Sequence, residues 1–174
     1  MRMATLIGTA LTLVSTAAAA QEVTYDFDKS ADFSRLQSYV WVRGTPVNDE
    51  FNHRRIVEAI DAQLAAKGLH RAEAGERPDV LIAYHAAFAE NLEVHALSSG
   101  WGGYRFAPGR SGTARVEEVL VGTLVVDVID ARSGSTLWRG TASREIDVKA
   151  SPEKREKNVN RATEKLFKNY PPEA

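Results

Sequence analysis

Apolar and polar positions alternate over residues 23–28, where Val23, Tyr25 and Phe27 are separated by Thr24 and Asp26, the pattern of a half-buried strand. A polar connection with two apolar anchors, Phe33 and Leu36, leads to residues 38–43. Their aromatic and β-branched side chains predict a second strand. Gly44, Pro46 and Asn48 break the pattern. Over residues 49–67 the period changes to that of a helix. Ile56, Ile60 and Leu64 recur every four residues, and Phe51, Val57 and Ala59 widen the apolar face. Asn48 or Asp49 can cap its free N–H groups, and Gly68 marks its end.

Residues 69–72 predict a short strand before the turn-rich stretch 74–78. Residues 80–89 predict a long one, with Ile82, Tyr84, Ala86 and Phe88 on one face and Leu81, Ala83, His85 and Ala87 on the other. A second long strand covers 116–130. It has Leu120, Leu124, Val126 and Val128 on its apolar face, while Thr123 and Asp127 mark a less buried one. The tight turn at 132–135 leads into a strand at 136–142, so these two strands predict an antiparallel hairpin. The last element begins with Ser151 as cap, Pro152 in the first turn and Glu153 at the positive helix end. Val159, Ala162, Leu166 and Tyr170 form its stripe, and Pro171 and Pro172 stop it. Two helices with one apolar stripe each can share one face of a sheet. The expected fold is therefore an α+β two-layer sandwich, a largely antiparallel sheet with both helices on one side.

The first twenty residues read differently. Arg2 precedes an apolar run from Leu6 to Val14, and Ala17, Ala18, Ala19 and Ala20 supply the small residues of a cleavage site. The run is too short to span a hydrocarbon core of roughly 30 Å. Residues 1–20 are expected to be a signal peptide removed after Ala20, leaving residues 21–174 as a single soluble periplasmic domain. Net charge is −1, and loss of Arg2 takes it to −2. Such a chain lacks the basic face that phosphate neutralisation demands, so nucleic acid is not an expected partner. The chain contains no cysteine. That excludes disulfides, thiolate metal sites, a thiol nucleophile and an N-terminal lipid-modified cysteine.

Across nearly the whole of residues 21–174 the chain resembles the bacterial family catalogued as domain of unknown function 4136. The resemblance is carried by Tyr25-Asp26-Phe27-Asp28, Ala31-Asp32-Phe33-Ser34 and Tyr39-Val40-Trp41, then by Ile60-Asp61, Leu64-Ala65-Ala66-Lys67-Gly68-Leu69 and Pro78-Asp79-Val80-Leu81-Ile82-Ala83-Tyr84-His85. Gly122-Thr123-Leu124, Asp127, Leu137-Trp138-Arg139-Gly140-Thr141-Ala142 and Asn169-Tyr170-Pro171-Pro172 complete it. The resemblance implies an α/β sandwich in a Gram-negative-type cell envelope, with no known activity and no catalytic residues to transfer. Many relatives look like lipoproteins with a cysteine after the signal. This chain departs from them, and no transmembrane segment or lipid anchor is expected.

His85, Glu90, Glu93 and His95 are the one cluster with metal-ligand residue types. His85 and His95 are ten apart and can meet only across a bend, and no zinc motif contains them. Asp26, Asp28 and Asp32 lack the spacing of a calcium loop. Asp79 and Asp127 flank apolar runs and would need to converge to act as a carboxylate pair. Trp41 and Trp138 fall inside strands and read as packing residues. The Gly-rich stretch 98–104 has neither the elbow of a serine hydrolase nor the Lys-Ser/Thr of a phosphate loop. It belongs to a predicted excursion over 97–114, where Trp101, Tyr104, Arg105, Phe106 and Arg110 supply residue types enriched in interfaces. No catalytic, cofactor-binding or metal residue is assigned. The expected function is a binding or scaffolding domain of the envelope with an unidentified protein or small-ligand partner. The alternatives are a hydrolase built on a carboxylate–histidine pair and a small-ligand carrier.

Overall fold

The computed structural model describes residues 21–95 and 115–173. Six strands form one sheet in the order β1-β6-β5-β4-β2-β3. They are β1 (Glu22–Phe27), β2 (Ser38–Trp41), β3 (His70–Arg71), β4 (Val80–His95), β5 (Arg115–Asp130) and β6 (Thr136–Glu145). β1, β6, β5 and β4 pair antiparallel in succession, and β2 lies parallel to both β4 and β3. The parallel step follows from the helical crossover, since α1 (Glu50–Ala66) separates β2 from its partners. The predicted two-layer α+β architecture is the one found.

α1 is capped by Asp49, whose carboxylate accepts the N–H groups of Phe51 and Asn52. Gly68 follows it with φ of 87°, the left-handed geometry that glycine adopts without a Cβ penalty. α2 (Pro152–Leu166) starts at Ser151, whose hydroxyl accepts the N–H of Lys154, and passes into a 3₁₀ turn at Phe167–Asn169. Ile56, Ile60 and Leu64 of α1 and Leu166 of α2 join one core. Tyr39, Val80, Ile82, Tyr84, Val126, Val128, Trp138 and Ala142 of the sheet complete it, so both helices cover the same face. Phe51 does not belong to this core and is exposed. At about 100° per residue, nine positions place it on the opposite side of the helix from Ile60. Its ring instead lies under the Arg54 guanidinium, 5.7 Å from the centroid.

Side chains tie α1 to the sheet. Tyr39 and Trp41 donate to Asp61 Oδ1 at 2.7 and 2.9 Å, and Arg71 donates to Oδ2. Burial and the bond to Asp61 push the Tyr39 phenol up to about 12. Among the described residues no helix is long and apolar enough to cross a membrane.

The two central strands outrun the helical layer. β4 and β5 each have 16 residues and pair without interruption from Val80↔Asp130 to His95↔Arg115, whereas β6 ends opposite Val121. A 17-residue helix covers about 25 Å, while a 16-residue strand runs about 53 Å. Part of this hairpin therefore extends past the helices as a two-stranded ribbon.

Candidate functional site

The base of that ribbon holds a concave apolar site. A cavity of about 280 Å³ opens between the N-terminal halves of α1 and α2, above β4, β5 and the segment that follows β6. Its floor is Ala86, Gly122 and Leu124, and its walls are Ile56, Val159 and Ala162. Ile146 lies directly on Gly122, where an added Cβ would come within 2.8 Å of its side chain. At the rim stand Phe88 and Val148, 58% and 61% exposed. Arg155 closes one side with its guanidinium donating to the carbonyls of Ala150 and Val148, which fixes the loop bearing Val148. Phe88 continues the apolar face of Ile82, Tyr84 and Ala86 predicted from the alternation. It is exposed because the helices end before they reach it. The alternation that includes Phe88 was visible in the sequence, but the residues after Glu145 carried no signal for the site.

On the opposite sheet face lies a polar row. Asp127, 3% exposed, receives two hydrogen bonds from Arg139, from Nε at 2.5 Å and from Nη2 at 2.8 Å. His85 Nδ1 is 3.0 Å from Thr45 Oγ1, while its Nε2 stands 3.6 Å from Asp127 Oδ2, beyond hydrogen-bond reach. The hydroxyl–imidazole–carboxylate sequence superficially resembles a nucleophile relay, yet both Asp127 oxygens are engaged by arginine. None of the three residues lines the apolar cavity. Asp127 and Arg139 therefore act as a structural pair, a buried carboxylate held by a half-exposed guanidinium. Replacing Arg139 by Ala is expected to cost about 2 kcal/mol, less than a fully buried pair because the guanidinium is half exposed. Asp127→Asn in the same background should recover most of that loss in urea unfolding at pH 7. A double variant no more stable than the single one would assign the effect to the packing of the arginine stem.

The remaining sequence candidates separate. Asp79 accepts the N–H groups of Gln37 and Ser38 and the Ser38 hydroxyl. The Gln37 N–H above all, with that of Ser38, holds its carboxyl below the usual range. Val80, next to Asp79, pairs with Asp130, whereas Asp127 pairs with Ala83, so Asp79 and Asp127 belong to separate networks and form no carboxylate pair. β4 runs without a break through both histidines of the His85, Glu90, Glu93 and His95 cluster. Ten strand residues span about 33 Å, so His85 and His95 do not meet. The Glu90, Glu93 and His95 side chains lie outside the described residues. Asp28 and Asp32 cap local turns through Ser30 and Ser34, and Asp26 accepts the Phe27 N–H. No group of three or more metal-ligating side chains occurs among the described residues. Trp41 and Trp138 pack as expected, Trp138 against Phe167 and Tyr170. Trp101, Tyr104, Arg105, Phe106 and Arg110 lie outside the described residues, as do residues 1–20.

The profile of the Domain of unknown function family DUF4136 matches residues 23–172, almost the whole described chain. The protein belongs to DUF4136. Solved structures similar to this DUF4136 chain include a PDZ domain protein from Parabacteroides distasonis, with 17% identity, a TM-score of 0.55, and coverage of 88% of this chain and 37% of that one. This chain thus spans little more than a third of that protein. A PelC dodecamer from Paraburkholderia phytofirmans is similar at 12% identity and a TM-score of 0.52, over 85% of this chain and 96% of that one. A DUF4136 family protein from Bacteroides thetaiotaomicron matches at 13% identity and a TM-score of 0.48, over 87% and 96% of the two chains. Identities this low establish a shared fold for the first two and leave function to the site itself. Comparison with curated proteins finds no match.

Proposed function

We propose that this DUF4136 protein is an exported, non-catalytic binding domain of the bacterial cell envelope, and that the apolar cavity between the helix starts and the ribbon base is its binding site. The reading rests on one observation above others: Phe88 and Val148 expose large apolar surface on the rim of a concave apolar site. Export is supported by Arg2, the apolar run to Val14 and the alanines before Gln21. The hydrolase alternative has its nearest arrangement in Thr45, His85 and Asp127, which sits on the other sheet face, away from the cavity.

The test uses full-length protein expressed in a Gram-negative bacterium and recovered from the periplasmic fraction, where its mass should begin at Gln21. Titration with the apolar fluorophore N-phenyl-1-naphthylamine should give a saturable rise in emission. Replacing both rim residues, Phe88→Ser with Val148→Ser, should weaken that binding about tenfold, or roughly 1.4 kcal/mol, without lowering thermal stability. Retention of residues 1–20 overturns the export assignment. Unchanged dye binding in the rim variant overturns the cavity assignment.

A further inference from the structure

We propose that the edge of β4 beyond Ala86, which no described strand covers, is a strand-addition site for an extended, basic segment of a partner protein. The cavity beside it would receive one apolar side chain of that segment. The proposal rests on the cavity reading above and adds to it a binding mode and a partner chemistry.

The backbone ladder defines the edge. Chain segment 39–45 runs parallel along β4, and its bonds to β4 use even-numbered residues of that strand. Val42 donates to the Ile82 carbonyl at 2.9 Å, Thr45 donates to the Tyr84 carbonyl at 3.1 Å, and Ala86 donates to the Thr45 carbonyl at 2.9 Å. After Thr45 the ladder stops, since among the described residues no backbone bond joins Val47, the next residue whose N–H could face β4, to Ala86, and the chain leads on to Asp49 and α1. β4 continues to His95. By the same alternation its odd-numbered residues bond to β5, and the N–H and C=O groups of Phe88, Glu90, Leu92 and Val94 point to the vacated side. No described strand pairs with β4 on that side past Ala86. Such an open ladder is the template that strand addition uses, with main-chain bonds supplying affinity and adjacent pockets supplying specificity. The pocket is in place, since Phe88 belongs both to the start of the open edge and to the cavity rim.

Charge selects the occupant. Residues 88–95 include Glu90 and Glu93 and no lysine, arginine, proline or glycine, and the paired stretch of β5 adds Glu117 and Glu118 against Arg115. Edge-to-edge pairing with a second copy would set these acidic strands against each other, which disfavours a homodimer. An incoming strand with lysine or arginine between apolar positions meets the opposite charge.

The probes are two capped octapeptides, one alternating valine with lysine and the other valine with glutamate, added to the whole protein. The valine–lysine peptide is expected to bind and to slow hydrogen exchange at the amides of Phe88, Glu90 and Leu92 about tenfold or more, and the valine–glutamate peptide to do neither. Glu90→Pro removes one edge-facing N–H and leaves the β5 bonds intact, so it should weaken valine–lysine binding at least tenfold with an unchanged melting temperature. The charge-reversed pair Glu90→Lys and Glu93→Lys, which leaves the backbone untouched, should invert the preference between peptides. Absence of protection with either peptide, equal binding of both, or full binding by folded Glu90→Pro each overturns the proposal. So does concentration-dependent dimerisation that protects the same amides without peptide. Dye binding without peptide protection leaves the cavity reading standing alone, and peptide protection without dye binding removes the cavity from the binding site while keeping the edge.

Discussion

Ile60→Asp and Leu166→Asp should each destabilise the fold by about 4 kcal/mol, the largest effect expected from a single change in either helix. Ile60 is 0% exposed and Leu166 1%, and they anchor α1 and α2 to the same core. Each substitution removes a packed aliphatic side chain and leaves an unpaired carboxylate where neither water nor a cation can reach it. A domain of this size has a total stability of about 5–15 kcal/mol, so the loss removes a large share of the total. Urea titration followed by circular dichroism measures the loss directly. A midpoint close to that of the wild type would mean that the helix faces are misassigned.

Gly44→Ala is expected to cost about 3 kcal/mol although it adds one methyl group at a partly exposed position. A Cβ at residue 44 would lie 1.9 Å from the Tyr84 carbonyl oxygen and 2.9 Å from its carbon, both backbone atoms held in the sheet. Relief requires the chain to lift away from β4. That breaks the Thr45-to-Tyr84 and Ala86-to-Thr45 hydrogen bonds and separates Thr45 from His85. The tightness has a geometric origin. Three residue steps, from Val42 to Thr45, match two on β4, from Ile82 to Tyr84, so Gly44 lies in a bulge. Gly134→Ala serves as the contrast: its φ is 74° with nothing within 4 Å, and about 1 kcal/mol is expected there. Equal losses at the two glycines would refute the close-approach argument.

The periodicities made most of the fold legible. Alternation marked β1, β4 and β5, the tight turn at 132–135 marked β6, the four-residue recurrence of Ile56, Ile60 and Leu64 marked α1, and the Ser151-Pro152-Glu153 start marked α2. These signals survive because each element buries one face, and burial of one face imposes a period on the chain that makes it. Family membership was legible for a related reason, since ordered fragments along the chain carried it.

Contacts between distant segments were decided by tertiary structure alone. Alternation puts Phe88 on the same face as Ile82, Tyr84 and Ala86 but cannot say where a strand leaves the shelter of a helix, and the ends of α1 and α2 leave it on a rim. Nor does it give distances between carboxylates. Asp79 and Asp127 are assigned to separate networks by the register of β4 on β5, and Asp127 finds its arginine across β6. The acidic character of residues 88–95 is plain in the sequence, but the open ladder beside them depends on the chain leaving β4 after Thr45. Local patterns determine which elements form, because they depend on each element's own faces. The cavity, the ion pair and the β4 edge depend on how far each element extends past its neighbours, a property of the assembled sheet and helices that no single segment encodes.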